Sequence, residues 1–260
     1  MVSEASPARV PRFAIYVAPG AGSADTVGGL LRERAEQWLG RSIAGNPVKP
    51  AIPEGWTRPV IDAMTVSARR YGFHGTLKAP FRLAAGRTLE ELNAAAARFA
   101  ATSAAAVVPR LSLARLGGFF ALVPGAEAPG LHALADAVVR DFDEFRAPPT
   151  EGEVARRNPA ALTARQRELL TQWGYPYVLD EFRFHLTLTD RVPEGEHPGV
   201  QRTLTDWFAP LLGASLPVDA LAVFAEAEPG APFMLHAVHP LQQAPQPQSA
   251  ARPAGQQGAR

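Results

Sequence analysis

A short text occurs twice in this chain: His74-Gly75-Thr76-Leu77 returns in the second half as His185-Leu186-Thr187-Leu188. The elements that follow each copy also return in the same order. After a strand over Tyr71–Lys78 come a helix opening at Thr88, a strand around Val107–Leu116, a Gly117-Gly118 turn and a strand Phe119–Val123. After a strand over Phe182–Thr189 come a helix over Pro198–Leu212, a strand Val218–Phe224, a Pro229-Gly230 turn and a strand Phe233–Val238. A repeated strand, helix, strand, turn and strand must bury the same apolar face twice. The expectation is an α+β fold with a pseudo-two-fold axis, bilobed, each lobe an antiparallel sheet with flanking helices and an active cleft between the lobes.

Local signals fill in the rest. Phe13, Ile15 and Val17 alternate as a first strand. Leu31, Ala35, Trp38 and Leu39 make a helical face that stops at Gly40. Thr88 with Glu91, and Thr163 with Gln166, are capping boxes, and Gly174 ends the helix that Thr163 opens. Leu131, Leu134, Ala135, Val138 and Phe142 stripe another helix, and Val200, Leu204, Trp207, Phe208 and Leu211 stripe a last one, ended by Gly213. Residues 41–68 read as irregular; they and residues 140–160 are the candidates for a lid. The organisation is a flexible N-terminus over 1–11, one bilobed domain over 12–241, and a disordered Gln-, Pro-, Ala- and Gly-rich tail over 242–260.

Composition removes several function classes. With no cysteine, thiolate metal sites, iron–sulfur clusters and Cys nucleophiles are excluded, and a reducing, cytoplasmic setting is expected. Lys and Arg total 26 against 25 Asp and Glu, so bulk attraction to nucleic acid is not expected. No apolar stretch approaches the roughly 18 residues of a membrane span, and no membrane partner is expected.

The chemistry lies on the two repeated strands. Alternation puts His74, Thr76 and Lys78 on one face of the first and Tyr71, Phe73 and Leu77 on the other. On the second, Arg183, His185, Thr187 and Thr189 oppose Phe182, Phe184, Leu186 and Leu188. Polar groups on strands this apolar need partners, and a bound phosphate supplies them. Two imidazoles and two hydroxyls converging on one cleft suit opening of a phosphodiester: one His as base for water, one as acid on the leaving oxygen, hydroxyls on the non-bridging oxygens. This scheme calls for no metal and no cofactor. The pseudo-symmetry leaves open which histidine plays which part.

These motifs resemble the two-histidine phosphoesterase superfamily, which carries one His-x-Thr/Ser motif in each lobe. Arg70 through Phe81, together with Phe145-Arg146-Ala147-Pro148, Trp173-Gly174-Tyr175-Pro176-Tyr177 and Phe182-Arg183-Phe184-His185, are similar to a branch associated with phosphonate-utilisation operons. The resemblance covers roughly Arg12 to Leu241. It implies catalysis by His74 and His185, phosphate held by Thr76 and Thr187, and a small phosphorylated substrate such as a ribose cyclic phosphate. Gly75 departs from that branch, which usually has a small side chain there. Lys78 and Arg183 are further phosphate-binding candidates, and Tyr71 and Arg146 are candidates for the substrate rim. Tyr175 and Tyr177 read first as a turn, and Arg156, Arg157, Arg165 and Arg167 as a mixed-charge face with Glu151, Glu153 and Glu168. His236 and His239 fall on opposite strand faces, and His132 and His197 at helix starts. Two other functions remain open: a phosphodiesterase for RNA ends or nucleoside 2′,3′-cyclic phosphates, and a phosphate- or nucleotide-binding module without turnover.

Overall fold

The computed structural model describes residues 10–22, 26–49 and 51–242; the expected flexibility of 1–9 and disorder of 243–260 concern segments outside them. The chain runs β1 (Arg12–Val17), α1 (Thr26–Leu39), α2 (Arg58–Ala63), α3 (Val66–Tyr71), β2 (Gly75–Phe81), α4 (Leu89–Thr102), β3 (Ala106–Val108), β4 (Leu111–Leu116) and β5 (Phe119–Pro124). It continues through α5 (Pro129–Asp141), α6 (Glu151–Ala155), α7 (Ala164–Trp173), β6 (Leu186–Thr187), α8 (His197–Phe208), β7 (Leu216–Val218), β8 (Ala220–Glu226) and β9 (Met234–Pro240).

Seven strands form one antiparallel sheet in the order β4-β5-β6-β2-β1-β8-β9, and β3 pairs with β7 in a small second sheet. The duplication is visible in the pairings. Equivalent strands meet across the pseudo-axis twice, β2 with β6 and β3 with β7. The hairpins are exchanged: β4-β5, from the first repeat, lies beside β6 of the second, while β8-β9, from the second, lies on the β2 side of the sheet, separated from β2 by β1. Each half of the sheet therefore draws on both repeats.

One sheet face carries Phe13, Ile15, Val17, Leu77, Leu122, Leu186 and Val223 and is covered by the apolar stripes of α1, α4, α5 and α8. The opposite face has only a small cluster, with Ala14, Tyr16, Phe224 and Phe233 packed against Ile43. β1 is thus buried on both sides, and the second face is left partly open for a site.

The capping boxes at Thr88 and Thr163 form, and Thr150 with Glu153 makes a third that opens α6. Gly117 and Gly118, with φ of 55° and 106°, make the tight β4-β5 turn, since backbone at both central positions must be left-handed. Several expectations need correction. Residues 41–68 contain α2 and the start of α3. Tyr71 is the last residue of α3 rather than the first of a strand, because Gly72 (φ 75°, ψ 176°) turns the chain and β2 begins only at Gly75. The predicted Val107–Leu116 strand is split at Pro109 and Arg110 (φ 45°), sending β3 and β4 to different sheets. The Phe182–Thr189 segment keeps its alternating burial from Phe182 to Leu188, but Thr189, expected on the polar face, is buried and accepts from the Phe120 N–H, and ladder pairing covers only Leu186 and Thr187.

Gly75 explains how β2 and β6 come together. A Cβ there would stand 2.4 Å from Cε2 and Cζ of Phe184, so the ring occupies the space a side chain would need. Gly75→Ala should lower stability by about 1–3 kcal/mol, as overpacked cores do, and Phe184→Leu in the same chain should recover part of the loss. Urea midpoints of the three proteins test this; an unchanged midpoint for Gly75→Ala would refute the close approach.

Candidate active site

β2 and β6 pair at Gly75↔Leu186, both turned toward the helix-covered core. The same antiparallel register carried one residue either way sets His74 across from Thr187 and Thr76 across from His185. Two His–Thr pairs thus face the open side, related by the pseudo-axis. His74, Thr76 and Thr187 line a cavity of about 410 Å³, and Thr76 and His185 line an adjoining one of about 340 Å³. Thr76, Phe119 and Tyr175 belong to both.

Each imidazole is held by the same device. His74 Nδ1 lies 2.9 Å from the Gly72 carbonyl oxygen, and His185 Nδ1 lies 2.8 Å from that of Arg183, two residues upstream in both cases. A carbonyl only accepts, so Nδ1–H donates and Nε2 is left for the site. His74 Nε2 is 3.3 Å from Thr76 Oγ1. The turn that presents Gly72 is clamped by Arg41, whose guanidinium donates to the Arg69, Arg70 and Phe233 carbonyls. Asp190, just past β6, accepts from the backbone N–H groups of Ser67 and Ala68, tying the second motif to the helix before the first.

The surroundings of the two histidines differ. The His74 ring stacks on Tyr16 at 3.8 Å between centroids, while His185 has the Phe119 ring 5.8 Å away. Burial pushes the His74 pKa down to about 4, helped by the positive charges of His185 and Arg41 and opposed by the Gly72 carbonyl. His74 is therefore neutral near pH 7, with its Nε2 lone pair available. The Tyr16 hydroxyl is buried with no hydrogen-bond partner among the described residues, and burial holds it well above its ordinary pKa, so it remains a proton donor.

The other expected residues fall in several places. Lys78 is not on the face of His74 and Thr76. A bulge in the β1–β2 ladder shifts the register from Tyr16↔Thr76 to Ile15↔Lys78, which turns Lys78 toward the core. There its ammonium donates to the Val139 carbonyl (2.9 Å) and pairs with Asp143 (3.2 Å), away from both histidine cavities. Arg183 is exposed at the mouth of the His185 cavity, beside Arg115. Tyr71, expected on the core face of a strand, instead lines the His74 cavity, with its ring stacked on Phe233 and its hydroxyl bonded to Arg70. Arg146 lines a neighbouring cavity and is engaged by Asp143 and the Gln172 carbonyl. His132 is exposed, and His239 bonds Asn93.

Sequence reasoning missed Tyr16. Its signal was the polar-tipped ring on the alternate face of the Phe13, Ile15, Val17 strand. Tyr175 and Arg157 also line the His74 cavity; the mixed charge around Arg157 hid it.

Two titrations test this electrostatic picture. The His74 imidazole, followed by NMR, should stay neutral until about pH 4; a midpoint near the ordinary 6.5 would contradict it. Burial lowers the Lys78 pKa to about 8, with Asp143 opposing. Between that value and the unfolded value near 10.5 the unfolded chain holds the proton that the folded one has shed, so stability gains from this group as pH rises through the window. Lys78→Met should abolish that gain, seen as a smaller rise in unfolding free energy between pH 8 and 10.5 than in the unaltered chain. Equal slopes would place Lys78 in water.

Comparison with known proteins agrees with a family assignment. Residues 76–234, which take in Thr76, His185 and Thr187, match the family described as "Protein of unknown function (DUF1045)". The chain is 38% identical over 228 residues to the ribose 1,5-bisphosphate phosphokinase PhnN of Janthinobacterium sp. (strain Marseille), covering 86% of this chain and 49% of that protein. It is 36% identical over 228 residues to the protein of the same name from Laribacter hongkongensis (strain HLHK9), covering 86% and 50%. The chain thus spans about half the length of the curated relatives it matches. Among solved structures, E. coli LigT complexed with NADP+ aligns with a TM-score of 0.42 at 13% identity, over 90% of this chain and 99% of that one. With more than half of its length matched by the family model, the chain belongs to the DUF1045 family.

Proposed function

We propose that this protein is a phosphodiesterase that opens a small cyclic phosphate by acid–base catalysis between His74 and His185. The observation that carries the reading is the crossed His–Thr arrangement set by the Gly75↔Leu186 pair. His74, neutral and half-buried against Tyr16, is the base: its Nε2 takes a proton from water as the water oxygen bonds to phosphorus. His185, protonated at Nε2, gives its proton to the ester oxygen as the phosphorus–oxygen bond on the far side breaks. The products are a phosphomonoester and a free hydroxyl, and a proton exchange through solvent resets the pair. Thr76 and Thr187 hydroxyls donate to the non-bridging oxygens, where charge builds in the transition state.

The names of the relatives, which specify a ribose bisphosphate, support a ribose cyclic phosphate of phosphonate metabolism as the substrate. Their phosphokinase reaction is less well supported for this span. The chain has two lysines, Lys49 and Lys78, and neither follows a glycine, so the Gly-Lys of a nucleotide-binding P-loop is missing.

A panel with ribose 1,2-cyclic phosphate 5-phosphate and nucleoside 2′,3′-cyclic phosphates, assayed with EDTA, tests the proposal. Turnover should survive EDTA. His74→Ala and His185→Ala should each lower kcat by about 10²–10⁴, with the double variant little worse, since the two act as a unit. kcat/KM should rise with pH through about 4, because protonated His74 cannot act as base. Preference for the nucleoside substrates would favour the RNA-end reading. Tight binding without turnover would favour a binding module.

A further inference from the structure

A second cavity, of about 710 Å³, adjoins the His74 cavity, and Tyr71, Pro80 and Arg157 line both. Its walls carry six arginines, Arg12, Arg70, Arg82, Arg146, Arg156 and Arg157. We propose that it is a subsite for a second phosphate, a phosphomonoester on the same small molecule whose cyclic ester lies between the histidines; this rests on the phosphodiesterase reading.

The charges do not balance without such a guest. Fully buried Glu226 accepts from Arg12 at 2.5 and 3.0 Å, from Arg70 at 3.5 Å and from the Gly230 backbone N–H. Glu153 accepts from Arg82 at 3.2 and 3.1 Å. Asp143 holds Arg146 at 2.8 and 3.1 Å and Lys78 as well. Three carboxylates are thus shared among four arginines and a lysine. Arg156 and Arg157 have no carboxylate partner among the described residues. This excess stands in a chain of net charge +1. Arg157 does not extend into solvent: it is half-buried, with its guanidinium 4.8 Å from the centre of the Tyr175 ring.

The chemistry of the walls selects the ligand. Planar guanidinium forks held in place by carboxylates match phosphate oxygens in pairs, and a dianion answers an excess of positive charge. A nucleobase finds little here. The Tyr71 ring is already stacked on Phe233 at 5.2 Å with Arg70 4.6 Å from its centre, and the Tyr175 ring is covered by Arg157. A phosphorylated sugar, reaching from the histidines past Tyr71 and Arg157, fits better than a strand of RNA.

The test has two arms. Turnover compares adenosine 2′,3′-cyclic phosphate with the same compound carrying a 5′-phosphate. A charge-assisted phosphate contact should raise kcat/KM at least about tenfold, and Arg157→Gln should reduce that advantage to about threefold or less. Calorimetric binding of ribose 5-phosphate needs no turnover; its Kd should rise about tenfold or more in Arg157→Gln and partly recover in Arg157→Lys, with melting temperatures confirming that the variants fold. Equal kcat/KM for the two esters, or ribose 5-phosphate binding indifferent to Arg157, would overturn the subsite. Arg157-dependent binding of ribose 5-phosphate with neither these esters nor ribose 1,2-cyclic phosphate 5-phosphate opened would instead uphold the subsite and remove the phosphodiesterase reading.

Discussion

Two residues facing each other, Gly75 and Leu186, join the halves of the large sheet, and the placement of every candidate catalytic group follows from that contact. The pair brings a strand of each repeat close enough for His and Thr to cross over. It forms because Gly75 leaves room for the Phe184 ring underneath. β6 is too short to be secured by its own ladder, and bonds from elsewhere fix it. The Trp38 indole donates to the Leu188 carbonyl at 2.7 Å, and Thr189 accepts from the Phe120 N–H. Asp190 adds the tie to α3. The site is therefore rigid where its strand pairing is thinnest, which suits groups that must be held to within fractions of an ångström.

Symmetry of sequence is broken by packing. Both histidines bond the carbonyl two residues before them, yet the His74 ring is stacked against buried Tyr16, where burial lowers its pKa to about 4, while the His185 ring has Phe119 beside it. Two copies of one motif are thereby given different surroundings by their neighbours. Tyr16, whose hydroxyl lacks a partner in the described structure, is part of the same asymmetry.

Much of this was legible in the amino-acid order. The repeat predicted the equivalent strands, and Thr88 and Thr163 located helix starts to the residue because a capping box is a local bond pattern. Alternation from Phe182 to Leu188 gave the right burial even where ladder bonds are few, and failed at Thr189, which is buried. What escaped depends on events between distant segments. The bulge that reverses Lys78 arises from the match of β2 to β1, and nothing within β2 announces it. Tyr71 was read as a strand residue because the positive φ of Gly72, which ends α3, leaves no periodic trace. The arginine cavity gathers residues from six separate stretches of chain, each unremarkable alone.

The exchange of hairpins between repeats has a kinetic side. A chain whose first His strand lies between β1 and β6, while its own hairpin docks on β6 and the hairpin of the second repeat docks on β1, cannot complete either half of the sheet from contiguous residues. Closing loops of high sequence separation costs entropy before the contacts they bring repay it, the regime in which folding is slow. Neither repeat severed from the other would be an autonomous module.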